Sequence, residues 1–419
     1  MPIALPHAAR LARAALLLAA WRPASAQPAP AARPLVITHA TLVDGARGYF
    51  ATDATVVVRD GRIAEIVTTP YTPPADAQVL DARGRHLVPG LMDAHTHIAT
   101  LAGARRALES GVTTVRSASV PAYQDVTLRE AVRAGAVAGP DVVAAGTFVT
   151  PELGETILAD PRLARWAGGV TTEEALRDVV RVNHARGVDA IKTRGTERAG
   201  LAGTDPRKQT YSERQLAWIV DEASKYGLPV MAHAHGDEGA YAAVRAGVRS
   251  IEHGSFLSDS TLRLMQAKGT FLVPTYVTVQ DLTQPGGDYD EPALRLRGGF
   301  MLPALAATVR RAHRMGVRIA TGADTQYGPE SLSRIAGELA AFVELGMTPM
   351  EALRAGTLVT AELLGLGGRV GAIAPGQEAD LLLVEGNPLQ DIRALGDVLA
   401  VISNGRVALN RTPFGLAGR

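Results

Sequence analysis

The chain has 419 residues, 47% apolar and 20% charged, enough for one large domain with a packed core and a small accessory one. Its formal net charge of +1 gives no electrostatic reason to expect nucleic acid or an acidic membrane as partner. The absence of cysteine excludes thiol nucleophiles, thiolate-bound zinc and disulfides.

The chain opens on an export pattern. Arg10 and Arg13 flank the start of an apolar run over 14–21, too short for a permanent span, and Ala24-Ser25-Ala26 forms a small-residue cleavage site. Residues 1–26 therefore read as a signal peptide, with an amphipathic helix as the alternative. The mature protein is expected to be periplasmic or secreted, without membrane attachment once the signal is removed. Residues 27–34, rich in Ala and Pro, read as a linker.

Short alternating strands dominate 35–87. They are expected over 35–38, 54–59 and 62–67, with Asp60-Gly61 as a hairpin turn. The same texture returns over 371–419, with strands at 379–384, 400–403 and 406–409 and an Asn404-Gly405 turn. The two ends are expected to combine into one small β-sandwich.

Across 88–370 strands and helices alternate. Apolar strands are expected over 87–92, 112–115, 142–145, 190–192, 229–232, 250–252, 271–274 and 317–321. Helix starts are signalled by capping boxes at Thr171/Glu174 and Ser212/Gln215, and by Pro349 behind Thr348 with Glu351 three residues on. Eight such strands predict an α/β protein built on a (β/α)8 TIM barrel. The rival, a doubly wound sheet, lacks a Gly-rich phosphate loop after any strand.

Chemistry-bearing residues gather at the C-terminal ends of these strands, the catalytic face of a barrel. His95 and His97 are two apart, so both face one side of the first strand and can grip one metal ion. His233 and His253 end the fifth and sixth strands, and Asp324 follows the eighth. A single buried His is usually a core residue, and Asp324 alone reads as a helix N-cap. One polar residue at each of four strand ends is what those alternatives do not produce. Lys192 ends the fourth strand, where an ammonium would be repelled by neighbouring cations. Its neutral amine can react with CO2 to give a carbamate with two ligand oxygens; the alternative is a salt-bridged rim lysine.

Taken together, the motifs resemble the binuclear amidohydrolases, most closely the secreted imidazolonepropionase-like and prolidase-like branch. The resemblance runs from Leu35 to about Val407 and is carried by Pro89-Gly90-Leu91-Met92-Asp93-Ala94-His95-Thr96-His97, Asp189-Ala190-Ile191-Lys192, Ala232-His233-Ala234-His235-Gly236, Ile251-Glu252-His253-Gly254 and Thr321-Gly322-Ala323-Asp324. It implies two divalent ions, zinc by default, with His95, His97 and Asp324 on the more buried one. His233 and His253 take the outer ion, and a carboxylated Lys192 bridges the two. The spacing to His253 selects His233 over His235 as the ligand. The sequence departs from the branch at Thr150-Pro151-Glu152-Leu153-Gly154, where a Gly-Gly-His cluster is usual, and at Ser117-Ala118, where an acidic residue and Gly are common.

The resemblance implies hydrolysis of C–N amide bonds in N-acyl amino acids, dipeptides or ochratoxin-like amides. Two dications lower the pKa of a bridging water to supply hydroxide. Asp324 is the expected proton acceptor, and His235 the donor to the carbonyl oxygen. Arg194, two residues past Lys192, and Tyr211 are the expected contacts to a substrate carboxylate. A lactonase or esterase on the same site is one alternative. Another is a mononuclear deaminase using His235 and Glu238. The partner is a small molecule, and the chain is expected to form a homo-oligomer.

Overall fold

Gly90 divides the apolar run that reads as one strand over 87–92. In the computed structural model, which describes residues 33–286 and 288–412, His86–Pro89 and Leu91–Thr96 are separate strands in separate sheets. The backbone passes so close to Thr113 that a Cβ at position 90 would lie 2.2 Å from its Oγ1, so the crossing requires glycine. The signal segment 1–26, residues 27–32 of the linker and residues 413–419 lie outside the described residues.

The strands, in chain order, begin with β1 (Leu35–Asp44), β2 (Gly48–Arg59), β3 (Arg62–Val67), β4 (Gln78–Asp81) and β5 (His86–Pro89). The middle of the chain supplies β6 (Leu91–Thr96), β7 (Val112–Ser117), β8 (Asp141–Val143), β9 (Ile191–Arg194), β10 (Val230–Ala234), β11 (Ser250–His253) and β12 (Phe271–Val273). Last come β13 (Leu381–Val384), β14 (Val398–Ser403) and β15 (Arg406–Asn410).

Both chain ends build one mixed sheet of eight strands, in the order β15-β14-β13-β5-β1-β2-β3, with β4 paired to β1. Its two tight hairpins are those expected. Asp60 and Gly61 (φ 49° and 78°), like Asn404 and Gly405 (φ 51° and 74°), are left-handed at both central positions, as a type I′ turn requires. The two turns abut: a Cβ on Gly405 would lie 2.5 Å from the Gly61 Cα.

The middle strands form two parallel sheets, β6-β7-β8 and β12-β11-β10-β9. Helices intervene, and β6, β7, β10, β11 and β12 are buried at every position, as strands covered on both faces are. Scattered backbone hydrogen bonds link the flanks of the two sheets. Val149 N donates to Lys192 O at 2.9 Å on one side, and Leu272 N to Arg318 O at 2.9 Å on the other. The expected eighth strand over 317–321 is not a ladder. Ala320 N bonds Leu272 O, Thr321 O accepts from Ala94 N, and Asp324 N bonds His95 O at 2.8 Å. Partners on each side are too few in succession for a regular strand.

Helix starts follow the capping signals with one correction. Ser212 and Thr348 cap as expected, each in a complete box with Gln215 and Glu351. The box expected at Thr171 does not form: Thr172 is the N-cap and accepts from Ala175 N, which leaves Glu173 and Glu174 both in the first turn, where acidic charge suits the helix dipole.

Candidate metal centre

At the C-terminal ends of the parallel strands lies a cavity of about 240 Å³. His95, His97, Lys192, His233, His235, His253 and Asp324 all line it. The backbone is strained where it turns in. His253 (φ 73°) and Asp324 (φ 44°) adopt the left-handed region, at a cost of about 1–3 kcal/mol each. At His253 this turn breaks the strand's alternation, so that Glu252 and His253, neighbours in sequence, both reach the interior.

Each of the five imidazoles is held by one nitrogen. Nδ1 of His95 meets Glu252 Oε2 at 2.7 Å, that of His97 meets Ser119 O at 2.7 Å, and that of His235 meets Ser255 Oγ at 2.9 Å. His253 Nδ1 lies 2.7 Å from Thr275 Oγ1, and His233 Nε2 lies 3.0 Å from Glu197 O. The candidate ligand atoms gather into two sets. Donor atoms of His95, His97 and Asp324 lie within 4.8 Å of one another, as do those of His233, His235 and His253. Asp324 Oδ1 sits 3.1 Å from His97 Nε2 and 3.5 Å from His95 Nε2, yet makes no hydrogen bond. A buried carboxylate oxygen and two imidazole nitrogens aimed at one point suit a cation. Lys192 Nζ, 3.5 Å from His95 Nε2, lies beside them.

Protonation favours the same use. Burial lowers the pKa of His95 to about 4 and of His235 to about 3, and holds His233 and His253 well below the usual imidazole range. The rings are therefore neutral and free to donate lone pairs. Burial works against ionisation of Asp324, but His95, His97 and Lys192 outweigh it and bring its pKa down to about 2. Burial also brings Lys192 down to about 8, which raises its neutral amine fraction near neutral pH.

The sequence reading missed two residues. Arg116 and Glu252, buried in strands that have no exposed position, pair at 2.9 Å, and Arg116 Nε also donates to Ala94 O at 2.7 Å. Opposite charges inside two buried strands must meet, and that was the available signal. Burial opposes ionisation of Glu252, but Arg116 and then His95 outweigh it, bringing its pKa down to about 2.

Two expected substrate contacts lie elsewhere. Tyr211 is fully buried and its hydroxyl donates to Val170 O at 2.7 Å, so it is committed to the core. Arg194 is not on the cavity wall; its guanidinium lies 4.0 Å from Glu152. Gly195 packs so closely on Gly239 that a Cβ would be 2.4 Å from that carbonyl oxygen, which holds the end of β9 against the helix Asp237–Ala246 that follows β10. Arg198, four residues on, lines the cavity instead, with Tyr289. Glu238 is exposed on a helix and does not line the cavity, which removes the proton shuttle a deaminase reading needs. Where the Gly-Gly-His cluster is missing, Phe148 and Thr156 form the wall.

Residues 86–408 match the model of the amidohydrolase family. The chain belongs to that family. This amidohydrolase is 30% identical over 363 residues to an ochratoxinase from Aspergillus niger, across 75% of this chain and 73% of that protein. The crystal structure of A. niger ochratoxinase has a TM-score of 0.76 at 26% identity, over 92% of this chain and 98% of that one. An imidazolonepropionase from Ralstonia nicotianae is 30% identical over 387 residues, 82% of this chain and 89% of the relative. A Xaa-Pro dipeptidase crystallised with methionine in its active site has a TM-score of 0.79 at 27% identity, over 89% of this chain and 99% of that one. The amidohydrolase is thus a hydrolase of carbon–nitrogen bonds in a metal-dependent family.

Proposed function

We propose that this amidohydrolase cleaves amides that themselves bear a free carboxylate, such as N-acyl amino acids, dipeptides or ochratoxin-like amides. The observation that carries the reading is the arrangement of five imidazoles and one carboxylate: each ring has one nitrogen fixed by a partner, and with Asp324 the rings offer two sets of donor atoms, each within 4.8 Å. Outer partners of this kind orient and tune metal ligands. The backbone hydrogen bonds that link the two parallel sheets, on one side through residues 318–325, support a closed (β/α)8 barrel with the end sheet as its small β-sandwich companion.

In this reading His95, His97 and Asp324 hold one ion and His233 and His253 a second. The Lys192 amine would take up CO2, releasing a proton, and as an anionic carbamate would supply ligand oxygens to these ions. Two divalent ions, zinc by preference, supply Lewis acidity toward water and toward the scissile carbonyl. Asp324 takes the proton of the attacking water and delivers it to the leaving amine. His235 donates to the carbonyl oxygen as charge builds there. Arg198 pairs with the substrate carboxylate in place of Arg194. We further propose export with cleavage after Ala26, so that the mature chain purified from its host begins at Gln27.

The test joins metal analysis to a substrate panel of N-acyl amino acids, dipeptides, lactones and aminopurines followed by mass spectrometry. About two ions per chain and turnover of carboxylate-bearing amides are expected. One ion with aminopurine turnover, or lactones alone as substrates, would overturn the reading.

A further inference from the structure

The loop that supplies Arg198 runs from the end of β9 to the helix Glu213–Ser224. Its base closes like a short hairpin, with Glu197 N donating to Lys208 O at 2.9 Å and Thr210 N to Gly195 O at 2.8 Å. The Glu197 carboxylate reinforces the base, accepting from Asp205 N at 2.9 Å and pairing with Lys208 Nζ at 2.8 Å.

Beyond the base, four carbonyls of the loop converge on one guanidinium. Arg297, on the helix Pro292–Arg314, donates through Nη1 to Ala199 O at 2.5 Å and Leu201 O at 2.6 Å. Its Nη2 donates to Ala202 O at 3.0 Å and Thr204 O at 2.6 Å. A guanidinium has four Nη hydrogens, and the loop engages all of them. Carbonyl dipoles turned toward one point repel one another unless a cation stands among them. The helix is itself seated against the cavity: a Cβ on Gly298 would lie 2.7 Å from the Leu282 Cβ, and Leu282 lines the wall.

The fastened loop touches the site at two places. The Glu197 carbonyl accepts from His233 Nε2, which fixes the ring so that Nδ1 faces the centre. Arg198 forms part of the cavity wall, and Gly200 lies beneath Tyr289, where a Cβ would come within 2.9 Å of the ring.

We propose that Arg297 is a positioning residue that sets substrate specificity at a distance, by holding loop 197–204 so that Arg198 meets the substrate carboxylate and Glu197 O orients His233. This rests on the carboxylate-bearing amide reading above. A side chain without donors would release four carbonyls together, whereas lysine restores the charge but spans fewer of them.

The experiment compares wild type with Arg297→Met and Arg297→Lys in three measurements. Hydrogen exchange over 197–208 should speed at least about tenfold in Arg297→Met and less in Arg297→Lys, with strands β9 to β12 unchanged. Zinc affinity, read by chelator competition, should fall several-fold. The preference in kcat/KM for an N-acyl amino acid over its C-terminal amide should drop at least about tenfold, and Arg297→Lys should recover part of it. Unchanged exchange over 197–208 would overturn the proposal. So would equal losses on the acid and the amide, which would make Arg297 a matter of stability alone. If Arg297→Met does not fold, Arg297→Lys carries the same tests. Wild type that hydrolyses no amide would overturn the functional reading instead, while exchange and zinc affinity still report on Arg297.

Discussion

Glu252 holds His95 from behind: Oε2 meets the ring's Nδ1 at 2.7 Å, while Oε1 takes the Arg116 guanidinium at 2.9 Å and the Ser250 hydroxyl. All four side chains are buried, and Arg116 with His95 keeps the carboxylate charged against that burial, so that it orients the imidazole and strengthens Nε2 as an electron-pair donor.

Replacing Glu252 by Gln should therefore weaken metal binding without removing a ligand. Zinc affinity is expected to fall about 10–100-fold, the usual effect of deleting such an outer partner. Titration against a chromogenic chelator checks this. Affinity equal to wild type would mean that His95 is oriented by its backbone alone.

The same carboxylate makes stability depend on acid. Its pKa in the fold is about 2, against an ordinary glutamate value near 4.5. A depressed carboxylate contributes stability that is fully present above the unfolded value and is lost as pH falls through the folded one. For the buried Glu252 the loss is on the order of 3 kcal/mol between about pH 5 and pH 2. Denaturant melts of the metal-free protein should show a steeper acid decline in wild type than in Glu252→Gln. Parallel declines would place the acid sensitivity elsewhere.

Lys192 is 2% exposed and has no carboxylate bonded to its Nζ. In the proposed role of carbamate-bearing bridge it could not be replaced by a shorter side chain. Lys192→Ala should lose most turnover and part of its metal, and added acetate or bicarbonate should restore a fraction of both. Full activity with two ions retained would show that the bridge comes from another group.

Arg198→Met tests substrate capture. On an N-acyl amino acid kcat/KM should fall by one to two orders of magnitude, about 1.5–3 kcal/mol for a charge-assisted pair, while the C-terminal amide barely changes. If the two substrates lose equally, the carboxylate contact lies elsewhere on the wall, with Tyr289 the next residue to vary.

The residues brought together at the centre were legible in the sequence because strand-end positions are encoded by alternation and by polar groups after apolar runs. His95, His97, Lys192, His233, His253 and Asp324 all have that signature, and all line one cavity. Arg194 failed where alternation stops: β9 ends there, and the Gly195–Gly239 contact decides the path beyond. Tyr211 failed because loop distance carries no direction. Glu252 escaped notice because a regular strand would turn it away from the side of His253, and only the left-handed His253 reverses that. The run over 87–92 looked continuous because a single glycine does not announce that its neighbours belong to two sheets.

The pairing of β5 with β13, Pro89 opposite Leu381 and His86 opposite Val384, sets a schedule for biogenesis. Ribosomes emit about 5–20 residues per second, so tens of seconds separate the birth of one strand from that of its partner. Throughout that interval Leu87 and Val88, wholly buried in the finished protein, have no neighbour on that edge. The end sheet cannot be completed until almost the whole chain has been made, and a nascent chain with such an edge is open to mispairing. Chaperone demand should accordingly be greatest late in synthesis, and truncations that remove β13 should yield aggregates rather than a soluble, folded remainder.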